Sequence, residues 1–201
     1  PRQGYVEGNI FYHPELKFKF FFPSGWQLQN TPLQVTILPG DGKALILFTL
    51  SPQKTLEAAA DSTIAQIGLT LQDRRKTTVN GMPAIITLCK QTVQDQSTGA
   101  TSSNMVLSYF INYNNLNYVF HGVSSEADFA NYSGSFESTP ASFSKLTEAA
   151  KINVIPKRIQ VVKVQRTGTF SNALSSFGVR QAQYEELALL NNLELTSQVQ
   201  A

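Results

Sequence analysis

The dipeptide Asn80-Gly81 stands between two long runs, residues 72–79 and 82–91, and no other stretch constrains the fold as strongly. Both residues tolerate positive φ, so a two-residue turn joins the runs as an antiparallel hairpin and fixes their register. A second hairpin is predicted across Asn114-Asn115, joining residues 105–113 to 117–123, both rich in aromatic and β-branched side chains. Upstream, Phe18, Phe20 and Phe22 alternate with Lys17, Lys19 and Phe21, the period-two pattern of a strand with one buried face. Leu33, Val35 and Ile37 repeat that alternation, and the nearly continuous apolar run 44–50 suits a central strand. The Ser/Thr/Gly-rich stretch 94–104 reads as a loop.

Helix signals are fewer. Ser51 or Thr55 caps a helix whose Leu56, Ala60, Ile64 and Ile67 share a face, and Gly68 ends it. Ser124 or Ser125 caps a second helix carrying Phe129, Tyr132 and Phe136, and Thr139-Pro140 opens a last helical turn with Phe143 and Leu146. Strand pairs, a helix, a meander and C-terminal helices make an α+β domain, an antiparallel sheet with flanking helices. It is assigned residues 1–150, with 145–156 as a connecting segment and 157–201 as a separate small module.

Charge excludes some functions. Sixteen basic against fourteen acidic residues give a net +2, too weak a field to argue for nucleic acid or an anionic membrane. The apolar runs fall short of the roughly 20 residues that span a bilayer. The first residues have neither a basic start nor an apolar stretch, so an export signal is expected upstream of this sequence. Cys89 is the one cysteine and cannot form an internal disulfide.

The residues of catalysis are poorly arranged. A helical zinc site needs two His four apart with a Glu between them, and the two His of this chain, His13 and His121, stand in strand or turn contexts far apart in sequence. His13 reads as a turn residue before Pro14, and His121 as a half-buried or edge side chain. Cys89 lies on the strand face opposite Met82, Ala84, Ile86 and Leu88 and reads as a packing residue. Ser133-Gly134-Ser135 is not a nucleophile elbow, Glu185 and Glu186 face different directions, and no glycine-rich loop opens a helix. Arg74-Arg75-Lys76 reads as a solvated hairpin strand rather than an anion-binding run.

The tail carries the one positive functional signal. A basic strand over 158–164 leads into the turn Arg166-Thr167-Gly168-Thr169-Phe170. A helix capped by Thr169 and closed by Gly178 follows, then a second helix over 183–190 with Tyr184, Leu187 and Leu190, then Leu189-Leu190-Asn191-Asn192-Leu193. This order resembles a degenerate LysM module of βαα form, with its final strand missing. The resemblance implies a shallow groove for N-acetylglucosamine polymers. In it Thr169 aligns with the family's Thr, Phe170 with its Leu, and Gly168 stands where the usual Asp would be. The site residues it implies are Arg166, Thr167, Gly168, Thr169, Asn191 and Asn192, with the far wall of the groove at 191–195.

The larger domain has its own resemblance. Phe20-Phe21-Phe22-Pro23-Ser24-Gly25-Trp26 is similar to the entry strand of the PsbP-like fold, and Asn80-Gly81-Met82-Pro83-Ala84 to its mid-domain hairpin. Phe136 with Ser142-Phe143 sits where such domains place a helical stretch and a Ser-Phe pair. Together with the opening segment 4–14, the two parts resemble the C-terminal region of exported bacterial zinc metallopeptidases of the BepA type, whose HExxH domain lies upstream. That resemblance implies a non-catalytic accessory region in the periplasm or cell envelope. It would position substrate or tether the enzyme to peptidoglycan or an assembly partner, with zinc only in the upstream peptidase domain. The alternative is a stand-alone envelope module that binds glycan or acts as an adaptor. A hydrolase built on His13 or His121 ranks last.

Overall fold

The structure, a computed structural model, describes residues 4–94, 97, 99–154 and 161–201. The chain divides into two compact units, Pro1–Ile155 and Pro156–Ala201.

The first unit is built on two antiparallel sheets. The smaller holds β1 (Tyr5–Glu7), β2 (Ile10–His13), β3 (Phe18–Phe21) and a late strand, β11 (Ser144–Lys145), in the order β1-β2-β3-β11. The larger is formed by β4 (Gln27–Asn30), β5 (Val35–Leu38), β6 (Ala44–Ser51), β7 (Thr70–Val79), β8 (Met82–Gln94), β9 (Thr101–Tyr113) and β10 (Leu116–Ser125). Its order is β4-β5-β6-β10-β9-β8-β7. Both two-residue hairpin turns form as predicted. Asn80 and Gly81 take φ of 48° and 80°, Asn114 and Asn115 take 50° and 61°, and Val79↔Met82 and Tyr113↔Leu116 close the two ladders.

Side-chain alternation then sorts residues between two cores. Facing the small sheet, Ile37, Phe48, Tyr118, Phe120 and Ile111 meet Phe11, Phe18 and Phe20, with Phe136 and Phe143 completing the cluster. The rings pack edge-on or offset: Phe20 to Phe120 at 5.1 Å and 85°, Phe18 to Phe143 at 5.1 Å and 29°. On the opposite face, Ile85, Phe110 and Val119 pack under α1 (Leu56–Gln66) through Ala59 and Ala60. Thr55 caps this helix, its Oγ1 accepting the Ala58 N–H, and Gly68 ends it with φ +62°.

Several sequence expectations change. The loop predicted over 94–104 is shorter than expected, because Gln94 and Thr101–Asn104 belong to the β8–β9 ladder, which stays paired out to Gln94↔Thr101. Backbone pairing does not need apolar side chains, and the Thr and Val residues of that arm suit an exposed strand. Thr139-Pro140 opens no new turn: α2 (Phe129–Ala141) runs through it, with Pro140 in its last turn, where little helix remains to be disrupted. Its start is Asp128, whose N–H is accepted by the Ser125 hydroxyl. Phe143 and Leu146 are buried outside any helix. Their segment adds β11 to the edge of β3, held by the Ser142 hydroxyl accepting the Phe21 N–H and by Leu146 N–H donating to Lys17 O. The connecting segment expected from residue 145 therefore begins inside the small sheet and continues through α3 (Ala149–Ile152), where the Tyr5 hydroxyl donates to Lys151 O.

The second unit holds β12 (Gly168–Thr169), α4 (Phe170–Ser176), a 3-10 turn (Gln181–Gln183), α5 (Tyr184–Leu190) and β13 (Gln198–Val199). Thr169 caps α4, accepting the Asn172 N–H, and Gly178 takes φ +70° after it. The core is Phe170, Leu174 and Ala188, with Tyr184, Leu187, Leu193 and Leu195 against it. Leu190, expected on the apolar face, is 58% exposed, and Ala188 takes the buried position. The basic strand expected over 158–164 is not seen: 158–160 lie outside the described residues, and 161–165 have no regular structure, with Val161 97% exposed. A short strand not expected from the sequence, β13, pairs antiparallel with β12 near the end of the chain. Two paired residues suffice because Phe170 N–H to Ser197 O and Ser171 N–H to Leu195 O extend the pairing beyond the strand itself.

Candidate functional site

The six tail residues singled out from the sequence occupy two turns of the second unit, and several of their polar atoms are engaged locally. Arg166 is exposed, and the Thr167 Oγ1 beside it accepts the Ala201 N–H at 3.4 Å. Gly168 pairs with Val199, and Thr169 is committed to capping α4. A Cβ at Gly168 would lie 3.9 Å from Asn172, an ordinary contact, so a side chain could be carried there without displacing a neighbour. The Asn191 side chain donates to Leu187 O at 2.8 Å, and Asn192 holds the left-handed turn after α5 with φ +52°. No hydrogen bond among the described residues joins Asn191 or Asn192 to 166–169. The segment that does meet the first turn is 195–199, through Leu195 O, Ser197 O and β13.

The first turn and the 193–199 stretch are therefore held side by side, through Phe170 N–H to Ser197 O, Ser171 N–H to Leu195 O and the β12–β13 pair. There the Ser197 Oγ accepts the Glu194 N–H and tightens the bend. Ser171 and Ser197 were not singled out from the sequence. The alternation of Leu193 and Leu195 with polar Glu194 and Thr196 is the one local signal that could have marked this stretch as extended.

The first unit places its titratable groups in structural roles. His121 lies on β10, flanked by β6 and β9, so it is a central residue and not an edge one. Thr87, Ser108 and His121 are cross-strand neighbours on the face that packs under α1, and the Ser108 Oγ is 2.7 Å from His121 Nδ1. Thr87 and Ser108 are 1% and 0% exposed and His121 is half-buried, so the Ser108 to His121 hydrogen bond satisfies polar groups beneath α1. Cys89 is fully buried against Leu69 and Val106, and burial pushes its thiol pKa up, away from reactivity. The Arg74-Arg75-Lys76 run is partnered within the domain. Arg74 Nη1 reaches Asp61 at 2.6 Å and Lys76 Nζ reaches Glu57 at 2.7 Å, while Arg75 lies near enough to Tyr109 to act on its hydroxyl electrostatically. The Lys76 to Glu57 pair flanks an open recess of about 360 Å³ between α1 and β8, floored by Ala84, Ile85 and Asn112. Among the described residues no three His, Cys, Asp or Glu side chains cluster as metal ligands, and no helix is long and apolar enough to cross a membrane.

Burial drops the His121 pKa to about 4. An unfolded His takes up its proton near pH 6.5 whereas the folded one resists until about 4, so between those values the unfolded state binds more protons and stability falls as pH falls. At about 1.4 kcal/mol per pH unit, roughly 3 kcal/mol present above pH 6.5 is lost by pH 4. His13, also lowered by burial, contributes with the same sign. Urea unfolding at pH 7 and at pH 4.5 should show this slope, and His121→Gln should remove most of it. An unchanged slope in the variant would contradict the assignment.

Comparison with known proteins settles the architecture of the first unit. Over 71% of this chain and 95% of the other, the structure superimposes on the cyanobacterial PsbP protein CyanoP from Synechocystis sp. PCC 6803, with a TM-score of 0.54 at 13% identity. The fold is PsbP-like. A crystal structure from Bacteroides thetaiotaomicron VPI-5482 aligns over 71% of this chain and 50% of its own, with a TM-score of 0.47 at 12% identity. The sequence matches no family profile and no curated protein. In the PsbP-like domain two of the three stretches that carried the resemblance have clear structural roles. Asn80 turns the hairpin, and its side chain donates to Ala141 O and Phe143 O, tying the end of α2 to the sheet. Trp26, after the Pro-Ser-Gly turn, stands edge-on to Tyr132 at 6.0 Å on the rim of the core.

Proposed function

We propose that this chain is the non-catalytic accessory region of a larger cell-envelope zinc metallopeptidase, in which the PsbP-like domain is a protein-binding spacer and the tail a LysM-like docking module. Zinc and the catalytic residues belong to the peptidase half, and the tail holds the enzyme near peptidoglycan or an assembly partner. The observation that supports this most is the pairing within the second unit. The turn before α4 and the segment after α5 lie side by side through β12, β13 and the Phe170 and Ser171 amides, as a LysM-like groove requires. Arg166, Thr167 and Thr196 are exposed and Ser171 is half-buried, so this side of the unit has a guanidinium and hydroxyls that would hydrogen-bond sugar hydroxyls and acetamido oxygens. A stand-alone envelope module that binds glycan has one observation in its favour, that residues 156–201 form a compact unit of their own.

Sedimentation with insoluble peptidoglycan tests the tail. The full chain should be retained, while Arg166→Glu should lower retention several-fold and a chain ending at Val154 should stay in the supernatant. Equal retention of all three would place any glycan contact outside the tail and remove the docking role.

A further inference from the structure

The β7–β8 turn joins a reactive dipeptide to a junction that depends on it. Asn80 is the one asparagine followed by glycine, whereas Asn115 and Asn192, which also take positive φ, are followed by leucine. An asparagine side-chain amide is open to attack by the backbone nitrogen of the next residue, and glycine shields that nitrogen least because it has no Cβ. Both residues are exposed here, and a Cβ on Gly81 would meet nothing within 4 Å. The Gly81 N–H also lies outside the ladder, whose last pair is Val79↔Met82. The nucleophile is therefore accessible, and protection falls to the Asn80 side chain.

That side chain is tied down. Its Nδ2 donates to Ala141 O at 3.0 Å and to Phe143 O at 2.9 Å, which uses both of its protons. Ala141 is the last residue of α2, and Phe143, 0% exposed, precedes β11. Attack turns Cγ from trigonal to tetrahedral and expels Nδ2 as ammonia, so both hydrogen bonds break before the nitrogen leaves. Two bonds of ordinary strength slow that step roughly tenfold or more while α2 and β11 are seated.

We propose that Asn80 is a spontaneous deamidation site held shut by folding, and that its conversion irreversibly unlatches the junction between α2 and β11. The Gly81 nitrogen loses its proton and bonds to Asn80 Cγ. The Cγ–Nδ2 bond breaks, and the nitrogen departs with that proton as ammonia. Water then opens the five-membered imide at either carbonyl, giving aspartate or isoaspartate, with no other reactant consumed. Aspartate places a carboxylate, which only accepts, where an amide donated twice, so two carbonyl oxygens face a negative charge. Isoaspartate also adds a methylene to the backbone of a two-residue turn, whose length sets the register of β7 and β8. Either product leaves Ala141 O and Phe143 O without their donor. The site is independent of the tail and of the docking role proposed for it.

Incubating the full chain in mildly alkaline buffer, folded or unfolded in guanidinium, and following residues 77–90 by peptide mass spectrometry tests the proposal. Asn80 is the one asparagine in that peptide. The mass gained when the amide becomes a carboxyl should appear at least about tenfold faster in the unfolded chain. Asn80→Asp, which reproduces one product, should speed amide hydrogen exchange over residues 141–146 by about tenfold or more. It should also lower Tm further than Asn80→Gly, which keeps the turn and only removes the donor. Equal deamidation rates in the folded and unfolded chains would overturn the proposal. So would wild-type exchange in Asn80→Asp, or a Tm no lower than that of Asn80→Gly. The rate comparison uses the wild-type chain alone and decides the matter even if a variant folds poorly.

Discussion

Replacing Phe18 by alanine is expected to destabilise the first domain by about 3–5 kcal/mol. Its side chain is 1% exposed and joins the two sheets. From β3 it packs on Phe48 at 5.4 Å and Tyr118 at 5.0 Å, both on the large sheet, and on Phe143 at 5.1 Å, the residue that precedes β11. Truncation removes the transfer energy of a large aromatic side chain and leaves a cavity whose other walls are rigid rings that cannot collapse into it. Phe21, on the same strand, is 43% exposed, and Phe21→Ala should cost well under about 1 kcal/mol. Urea unfolding followed by fluorescence suits the comparison, because Trp26 is the one tryptophan and reports the first domain alone. Equal losses for the two variants would mean that the Phe18 face is not where the sheets are joined.

The second large effect comes from adding a single methyl group. A Cβ at Gly122 would stand 2.3 Å from Cγ of Phe136 and 2.6 Å from its Cβ, inside any allowed contact. The glycine is required for close approach: its absent side chain lets α2 seat Phe136 against β10. Gly122→Ala should therefore push α2 off the sheet at a cost of about 3 kcal/mol, the upper range for overpacking. The double variant Gly122→Ala, Phe136→Ala should cost less than the sum of the two single changes by about 1 kcal/mol or more, because alanine removes the Cγ that makes the nearest contact. Strict additivity would contradict a direct contact. Tm and urea midpoints of the four proteins supply the cycle.

How much could be read beforehand follows from how local each signal is. Asn80-Gly81 and Asn114-Asn115 gave their turns because positive φ is a property of those residues alone. Thr55 and Thr169 gave helix starts because capping reaches only three residues. The alternation of Phe18, Phe20 and Phe22 marked a buried face for the same reason. Features that depend on remote partners were not legible. β11 exists only because Lys19 and Phe18 offer an edge, and the buried Thr87, Ser108 and His121 row exists only once three strands are in register. The tail shows the same division. Its caps were readable, but β13 is two residues long and carries no period, so its pairing with β12 could not be foreseen. Of the six tail residues, the engagement of Asn191 in capping its own helix was equally invisible, because an Asn after a helix reads alike whether it caps or faces a ligand.

The docking role proposed for the tail would be carried by residues 166–171 and 193–197, which lie side by side, and residue-resolved binding tests it most directly. The labelled full chain should be titrated with soluble N-acetylglucosamine oligomers and with muropeptides while its amide resonances are followed. The account predicts saturable shifts confined to Arg166, Thr167, Ser171 and the Leu193 to Ser197 stretch, with the PsbP-like domain unchanged. Saturable shifts confined to the PsbP-like domain, or none at concentrations that saturate an intact LysM module, would contradict it.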